Sequence, residues 1–445
     1  MEKIKKALVF GGGGALGAYE IGVWSVLDLY GYRPDLVVGT SVGALNAAVY
    51  AQGEYDNAYR MWKNITTDKV FAIHAQPGED IGSFSEKLHV MNAIGREALI
   101  HMGADAQPLR EILERYIDEA KIREGGMELG VVCMSLRDMR GVCQSLKRMK
   151  KGSLIDWLMA SAAIFPAVRA CKIDESYYID GGYYDTVPCE FAENLGAQEI
   201  LAVDTHAVGL RRGVYRAKVS RIESEWDLGN ELFFRPELTQ RLYEMGRLDA
   251  LKHYGEYEGV LYALSPGFSL MAERTARAAR EKLHALAPQE RDGILSKGTY
   301  ALLAKRTAGH LKTLYKYHKD SMPNTPVRFA ENAGRIFELD PARAYAGMEF
   351  DAQIIRCYNA CTVPKGSLAE ILKSPIDGRE KSERIVQELR KSRSSEIAVS
   401  LAEQLKAGFK NETERGGMRL LAAAFPAEFL AALYAVSLEA DTSGF

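Results

Sequence analysis

The sequence predicts an α/β fold in which a mainly parallel sheet is flanked by helices, followed by a helical C-terminal domain. Three observations predict it. Short apolar runs alternate with helix-compatible stretches over the first 265 residues, glycine-rich turns close the first two of those runs, and from about residue 266 the strand signals fade. Alternation of this kind builds strand-helix-strand units around a parallel sheet. Ligands of such sheets bind beyond the carboxyl ends of the strands.

Taken in order, Ala7-Leu8-Val9-Phe10 is the first strand, and the loop Gly11 to Gly17 leads from it into a helix near Ala18 to Leu29. Leu36-Val37-Val38 is the second strand, closed by Gly39-Thr40-Ser41-Val42-Gly43 and followed by helix-like Ala44 to Tyr50. Val70 to Ala106 has weak periodicity and turns at Pro77-Gly78 and Gly82, which suits a cap or loop over the site. Leu129 to Cys133 and Val142 to Leu146 read as strands joined by a turn through Arg137 to Gly141. Ile200 to Val203 is another strand, just after the helix-like stretch Glu190 to Leu195.

The organisation is therefore two domains, 1–265 and 266–445. Long helix-compatible stretches in the second run over Leu270 to Leu286, Leu295 to Lys319 and Lys381 to Lys410. Breaks at Ser321 to Pro326, Ser374-Pro375 and Asp377-Gly378 suggest two sub-bundles. Leu420 to Leu438 is the most apolar late segment, but Pro426, Glu428 and flanking Arg419 make it a packed helical hairpin rather than a membrane span. Lys305, Arg306, Lys312, Lys316 and Lys319 stand beside Leu302, Leu303, Leu311, Leu314 and Tyr315 in an amphipathic basic pattern. That pattern suits a docked helix and leaves contact with an anionic membrane surface open. The charged run Arg379 to Arg393 mixes both signs and reads as a solvated face.

Composition excludes some classes. A net charge of −2 gives no basic field for a nucleic-acid partner. Cys133, Cys143, Cys171, Cys189, Cys357 and Cys361 are scattered without metal-type spacing, so the expectation is reduced thiols and a metal-free site without cofactor. Met1 to Lys6 runs straight into the first strand, leaving no room for a signal peptide's apolar core. A cytoplasmic protein is expected, with peripheral membrane contact and homo-oligomerisation left open.

The chemistry gathers at three places. Gly39-Thr40-Ser41-Val42-Gly43 is G-x-S-x-G between a strand and a helix, the setting of a nucleophile elbow, which makes Ser41 the candidate nucleophile. Gly12, Gly14 and Gly17 fit G-x-G-x-x-G, a dinucleotide fingerprint. A dinucleotide site also needs an acidic residue at the end of the second strand, and Gly39-Thr40-Ser41 stands there instead. The same loop has another use, because amides without side chains beside a helix N-terminus stabilise the oxyanion of acyl transfer. Third, Asp180 ends the strand-like Tyr177-Tyr178-Ile179 and meets Gly181-Gly182, which makes it the candidate base, although Asp-Gly also marks ordinary turns. His206, after Val203-Asp204-Thr205, leaves a Ser41, Asp180, His206 triad open as a competitor.

With these three motifs in order, the chain resembles the patatin-like phospholipase family. The likeness includes Met159 to Pro166 before the Asp180 box and Asp185 to Pro188 after it, weakens past Val203, and has its last landmark at Gly246-Arg247-Leu248-Asp249. It extends to about Leu264. What the resemblance implies is a serine/aspartate dyad on a patatin-like fold: Ser41 attacks, Asp180 takes its proton, and the amides of Gly12, Gly13 and Gly14 hold the oxyanion. Gly17, Gly39, Gly43, Gly181 and Gly182 would support the motifs, and a lipid or phospholipid ester would be the substrate. Leu16 departs from the family, many members of which carry Arg or Lys there. The remaining alternatives are a dinucleotide-binding enzyme or module and a catalytically silent lipid-binding protein.

Overall fold

The computed structural model describes residues 4–70, 103–288, 294–313, 325–362, 392–409 and 412–442. Most of the cap expected over Val70 to Ala106 lies outside these residues, as do Lys316, Lys319, the breaks at Ser374 to Gly378 and most of the run Arg379 to Arg393. The chain divides into two compact units, Met1–Tyr254 and Gly255–Phe445.

The first unit is an eight-stranded sheet. Strands β1 (Lys6–Phe10), β2 (Leu36–Thr40), β3 (Glu128–Ser135), β4 (Arg140–Ser145), β5 (Cys171–Ile173), β6 (Ser176–Asp180), β7 (Glu199–Asp204) and β8 (Lys218–Glu223) lie in the order β5-β6-β3-β2-β1-β7-β8, with β4 also on β3. The neighbours β3, β2, β1, β7 and β8 run parallel, while β4 and β6 are antiparallel to β3 and β5 is antiparallel to β6. The central strands are apolar on both faces because helices cover both. Ala7, Val9, Leu36, Val38, Ile200 and Ala202 pack with Cys189, Phe191 and Ala192 of helix Cys189–Asn194. On the other face Phe10 meets Tyr50 edge-on, with ring centroids 6.0 Å apart. Tyr50 belongs to α2 (Val42–Gln52), and α1 (Gly17–Leu29) packs beside it. The expected hairpin over Leu129 to Leu146 is β3-β4. The Lys218–Glu223 edge strand could not be read from the sequence because its two apolar residues, Val219 and Ile222, stand three apart, giving neither an apolar run nor a period-two alternation.

One strand sets the site. Along one edge of β3, β2 pairs from Glu128 to Val132 and β6 takes over from Cys133 to Ser135, while β4 occupies the opposite edge. β2 and β6 run toward each other on that shared edge, so they meet end to end: Thr40 is opposite Val132 and Asp180 is opposite the next residue, Cys133. The chain must turn away at both points.

The second unit is helical, built from Phe268–His284, Ile294–Thr313, Thr325–Ile336, Glu349–Ala360, Ser394–Ala407, Glu412–Ala424 and Pro426–Thr442, with a two-stranded pairing of β9 (Ala263–Leu264) and β10 (Ala344–Tyr345). It begins earlier than the expected boundary after residue 265. The Glu331 carboxylate accepts the amides of Val260, Leu261 and Tyr262 at 2.7, 2.8 and 3.1 Å, which ties that segment to the helices. Among the described residues the helices form one bundle instead of two sub-bundles, and helix Pro426–Thr442 touches the other six of them. Its residues 429–438 are buried on every side, which suits a run apolar but for the hydroxyls of Tyr434 and Ser437, which donate to Asp351 and to the Leu433 carbonyl. Glu414–Ala424 and Pro426–Glu439 are bent by 117°, as a hairpin broken at Pro426 should be. Among the described residues no single helix is long and apolar enough to cross a membrane. In Ile294–Thr313 the basic pattern belongs to a docked helix: Leu303 is buried while Lys305 and Arg306 face water.

Candidate active site

The end-to-end meeting of β2 and β6 brings Ser41 and Asp180 together. Ser41 Oγ donates to Asp180 Oδ2 at 2.6 Å, and both residues are buried. Ser41 has φ 54° and ψ −130°, the strained turn of a nucleophile elbow, with α2 starting at the next residue. The elbow needs its glycines: a Cβ on Gly43 would stand 2.2 Å from the Gly11 carbonyl oxygen. The strain is held by bonds the sequence did not announce. The Ser41 amide donates to Ser161 Oγ at 2.9 Å, and that hydroxyl donates to the Val132 carbonyl at 2.6 Å. Thr40 Oγ1 donates to the Asp185 carbonyl at 2.7 Å. Ser161 is thereby a positioning residue, and its only signal in the sequence was a serine within Met159 to Pro166.

Asp180 is held by backbone bonds at the end of β6. Its Oδ1 accepts the Gly182 amide at 2.7 Å, and its own amide donates to the Ala163 carbonyl at 2.9 Å. Burial pushes the carboxyl up from 3.8 to about 7, although the bonds from Ser41 and Gly182 pull the other way. A base near neutrality suits proton abstraction at physiological pH.

The glycine loop lies at the end of β1, beside β2. A Cβ on Gly12 would be 3.6 Å from Ser41 Cβ, so the loop backbone is in contact with the elbow. Its amides are not equivalent. Gly12 N–H donates to the Thr186 carbonyl at 2.9 Å, which removes it from the three donors that the family resemblance implies. Among the described residues no acceptor faces the amides of Gly13 and Gly14. Gly14 is fixed as glycine by φ 52° and by the Glu231 carbonyl, which would be 2.1 Å from a Cβ. Leu16, at the position of the family's basic residue, is buried.

A pocket opens at Ser41. It encloses about 660 Å³ of space, open solvent included, and Ser41, Gly14 and Glu231 share its wall with Val42, Leu45, Trp62, Leu109, Ile164 and Phe234. Almost all of that wall is apolar. Trp62 is fixed by donating to Asn46 Oδ1 at 2.9 Å, and Asn46 in turn donates to buried Glu20 at 2.7 Å. This buried relay was also invisible in the sequence.

His206 is not part of this constellation. It follows β7, which is separated from β2 by β1. Its ring nitrogens lie 3.9 Å from Asp204 and 3.5 Å from Glu223, and Nδ1 is 3.3 Å from an Arg211 nitrogen. Asp204, His206 and Glu223 are the one cluster among the described residues with candidate metal ligands within reach of one another. Asp204 is already paired with Arg211 at 2.9 Å and Arg221 at 3.6 Å, so its charge is met by guanidinium groups. For a dinucleotide, the place of the ribose carboxylate is filled by the Thr40-Ser41 turn, whose hydroxyls are committed to Asp185 and Asp180.

The stretch that holds both Ser41 and Asp180 matches the family model described as patatin-like phospholipase over residues 8–193. Residues 8–193 belong to the patatin-like phospholipase family. Human and mouse patatin-like phospholipase domain-containing protein 6 are each 27% identical to the chain over 205 residues, 44% of this chain and 13% of theirs. A lysophospholipase nte1 from Aspergillus fumigatus is 23% identical over 271 residues, 58% of this chain and 16% of its own. The patatin-like region thus corresponds to a small part of much longer relatives. Among solved structures, VipD from Legionella pneumophila aligns over 96% of this chain and 91% of its own with 11% identity, at a TM-score of 0.37. That score is too low to bear on function.

Proposed function

We propose that the patatin-like domain hydrolyses lipid acyl esters through a Ser41/Asp180 dyad and an acyl-serine intermediate. The 2.6 Å bond from Ser41 Oγ to the Asp180 carboxylate carries the reading. Ser41 Oγ attacks the ester carbonyl as its proton passes to Asp180 Oδ2, and the amides of Gly13 and Gly14 receive the oxyanion, a donor of this kind contributing about 3 kcal/mol. Collapse of the tetrahedral species expels the alcohol, which takes the proton from Asp180. Water then attacks the acyl-serine, losing its proton to Asp180, and the second collapse returns that proton to Ser41 and frees the acid. The acyl chain lies in the apolar pocket at Ser41, whose wall favours a lipid over a polar ester. A phospholipid is the substrate class that the family match supports.

Asp180 must be ionised to act, so kcat/KM should fall about tenfold per pH unit below about 7. A pH profile on a neutral p-nitrophenyl ester tests this. A flat profile between pH 5 and 8 would remove Asp180 as the base.

A further inference from the structure

The loop after β7 displays an unusual set of side chains. Val208, Leu210 and Val214 are 90%, 62% and 88% exposed, and Val208 and Val214 are more exposed than any other large apolar residue among those described. Tyr183, directly after the Asp180 box, adds another at 42%. An exposed apolar group of this kind marks a contact surface.

Backbone bonds fix the loop to the catalytic elements. The Leu210 amide donates to the Gly182 carbonyl at 2.9 Å, and the Leu210 carbonyl accepts both the amide and the hydroxyl of Thr186 at 2.7 and 2.8 Å. The Val208 amide donates at 2.7 Å to Glu231, which is on the pocket wall. The loop is therefore one hydrogen bond from the Asp180 box on one side and one from the pocket on the other. Its apolar side chains are presented by a braced backbone, so little ordering is lost when they are covered.

We propose that Val208, Leu210 and Val214 form the element that seats the catalytic domain on a lipid surface. This rests on the lipid-ester reading of Ser41, since a water-insoluble ester must reach the pocket from its own aggregate. Charge decides which lipid surface. Arg211 and Arg212 lie between the apolar residues, but Arg211 is paired with Asp204 at 2.9 Å and Arg212 with Glu190 at 3.1 Å, with Arg212 also stacked 4.5 Å over the Tyr184 ring. Their charges are met within the protein. The contact is apolar insertion into a zwitterionic interface, with little dependence on anionic lipid or on salt.

The test uses the full chain carrying Val208→Ser, Leu210→Ser and Val214→Ser together, neutral changes that keep the backbone bonds and leave the field at Asp180 unaltered. Partitioning onto phosphatidylcholine vesicles is measured in a Ser41→Ala background, and turnover of a soluble p-nitrophenyl ester is measured with Ser41 present. The expected result is vesicle binding weaker by about 100-fold, from three partly inserted apolar side chains, with soluble-ester turnover changed less than twofold. Undiminished partitioning would overturn the proposal, as would a loss of soluble-ester turnover equal to the loss on vesicles. Absence of vesicle binding in the unaltered loop, with a concentration-dependent dimer instead, would assign the surface to a second copy and also overturn it. If no ester is turned over but partitioning still depends on the three residues, the hydrolase reading fails and the docking surface stands.

Discussion

Replacing Asp180 with Asn should abolish turnover and yet stabilise the first unit at alkaline pH. The carboxyl is 3% exposed, and burial raises it from 3.8 to about 7. At about 1.4 kcal/mol per tenfold change in proton affinity, the ionised form is about 4 kcal/mol less favourable in the folded chain than in the unfolded one. The sign follows from the raised value. Below about pH 4 the group is protonated in both states and contributes nothing; as pH rises toward 7 the unfolded chain ionises first, and the folded chain bears the full penalty above 7. Asp180→Asn carries no charge at any pH, so it should be more stable than the native chain by roughly 2–4 kcal/mol at pH 8, and the gap should narrow toward pH 5. Trp24, Trp62, Trp157 and Trp226 are all of the tryptophans and all lie in the first unit, so urea unfolding followed by tryptophan fluorescence reads that unit alone. A variant no more stable than the native chain at pH 8, or a difference that does not change between pH 5 and 8, would refute the reasoning.

Two further substitutions separate the roles of neighbouring groups. Ser161→Ala removes the acceptor of the Ser41 amide without touching the substrate, so kcat should fall about tenfold with KM unchanged, and Ser161→Thr should recover part of it; an unchanged kcat would mean the elbow holds without that bond. His206→Ala should leave ester turnover within about twofold, whereas a loss near 10⁴-fold in a folded variant would restore the histidine triad.

The parts of this molecule that could be read from the sequence are those where one residue type alone satisfies a backbone demand. Gly39, Gly43 and Gly14 are such positions, because strand, helix and loop approach too closely there for a Cβ. Flanking apolar runs then gave each its strand-end setting, and the Asp180 box followed the same logic. Ser161 was illegible for the opposite reason. Its hydroxyl meets a backbone amide 120 residues away, and a serine at a helix end looks the same whether or not that partner arrives. Gly12 was assigned a free amide because sequence shows which residues lack side chains but not which carbonyls face them; Thr186 claims it. In the second unit the boundary shifted because Glu331 gathers three amides from a segment some 70 residues earlier, and the centrality of Pro426–Thr442 emerges only when six helices surround it.

The central claim is that Ser41 is an activated nucleophile, and the most direct measurement is mass spectrometry after treatment with a fluorophosphonate. The account predicts one phosphonyl adduct, on the peptide that contains Ser41, with labelling at pH 8 faster than at pH 5 and absent in Ser41→Ala. An adduct on another serine, or labelling that persists in Ser41→Ala, would contradict it.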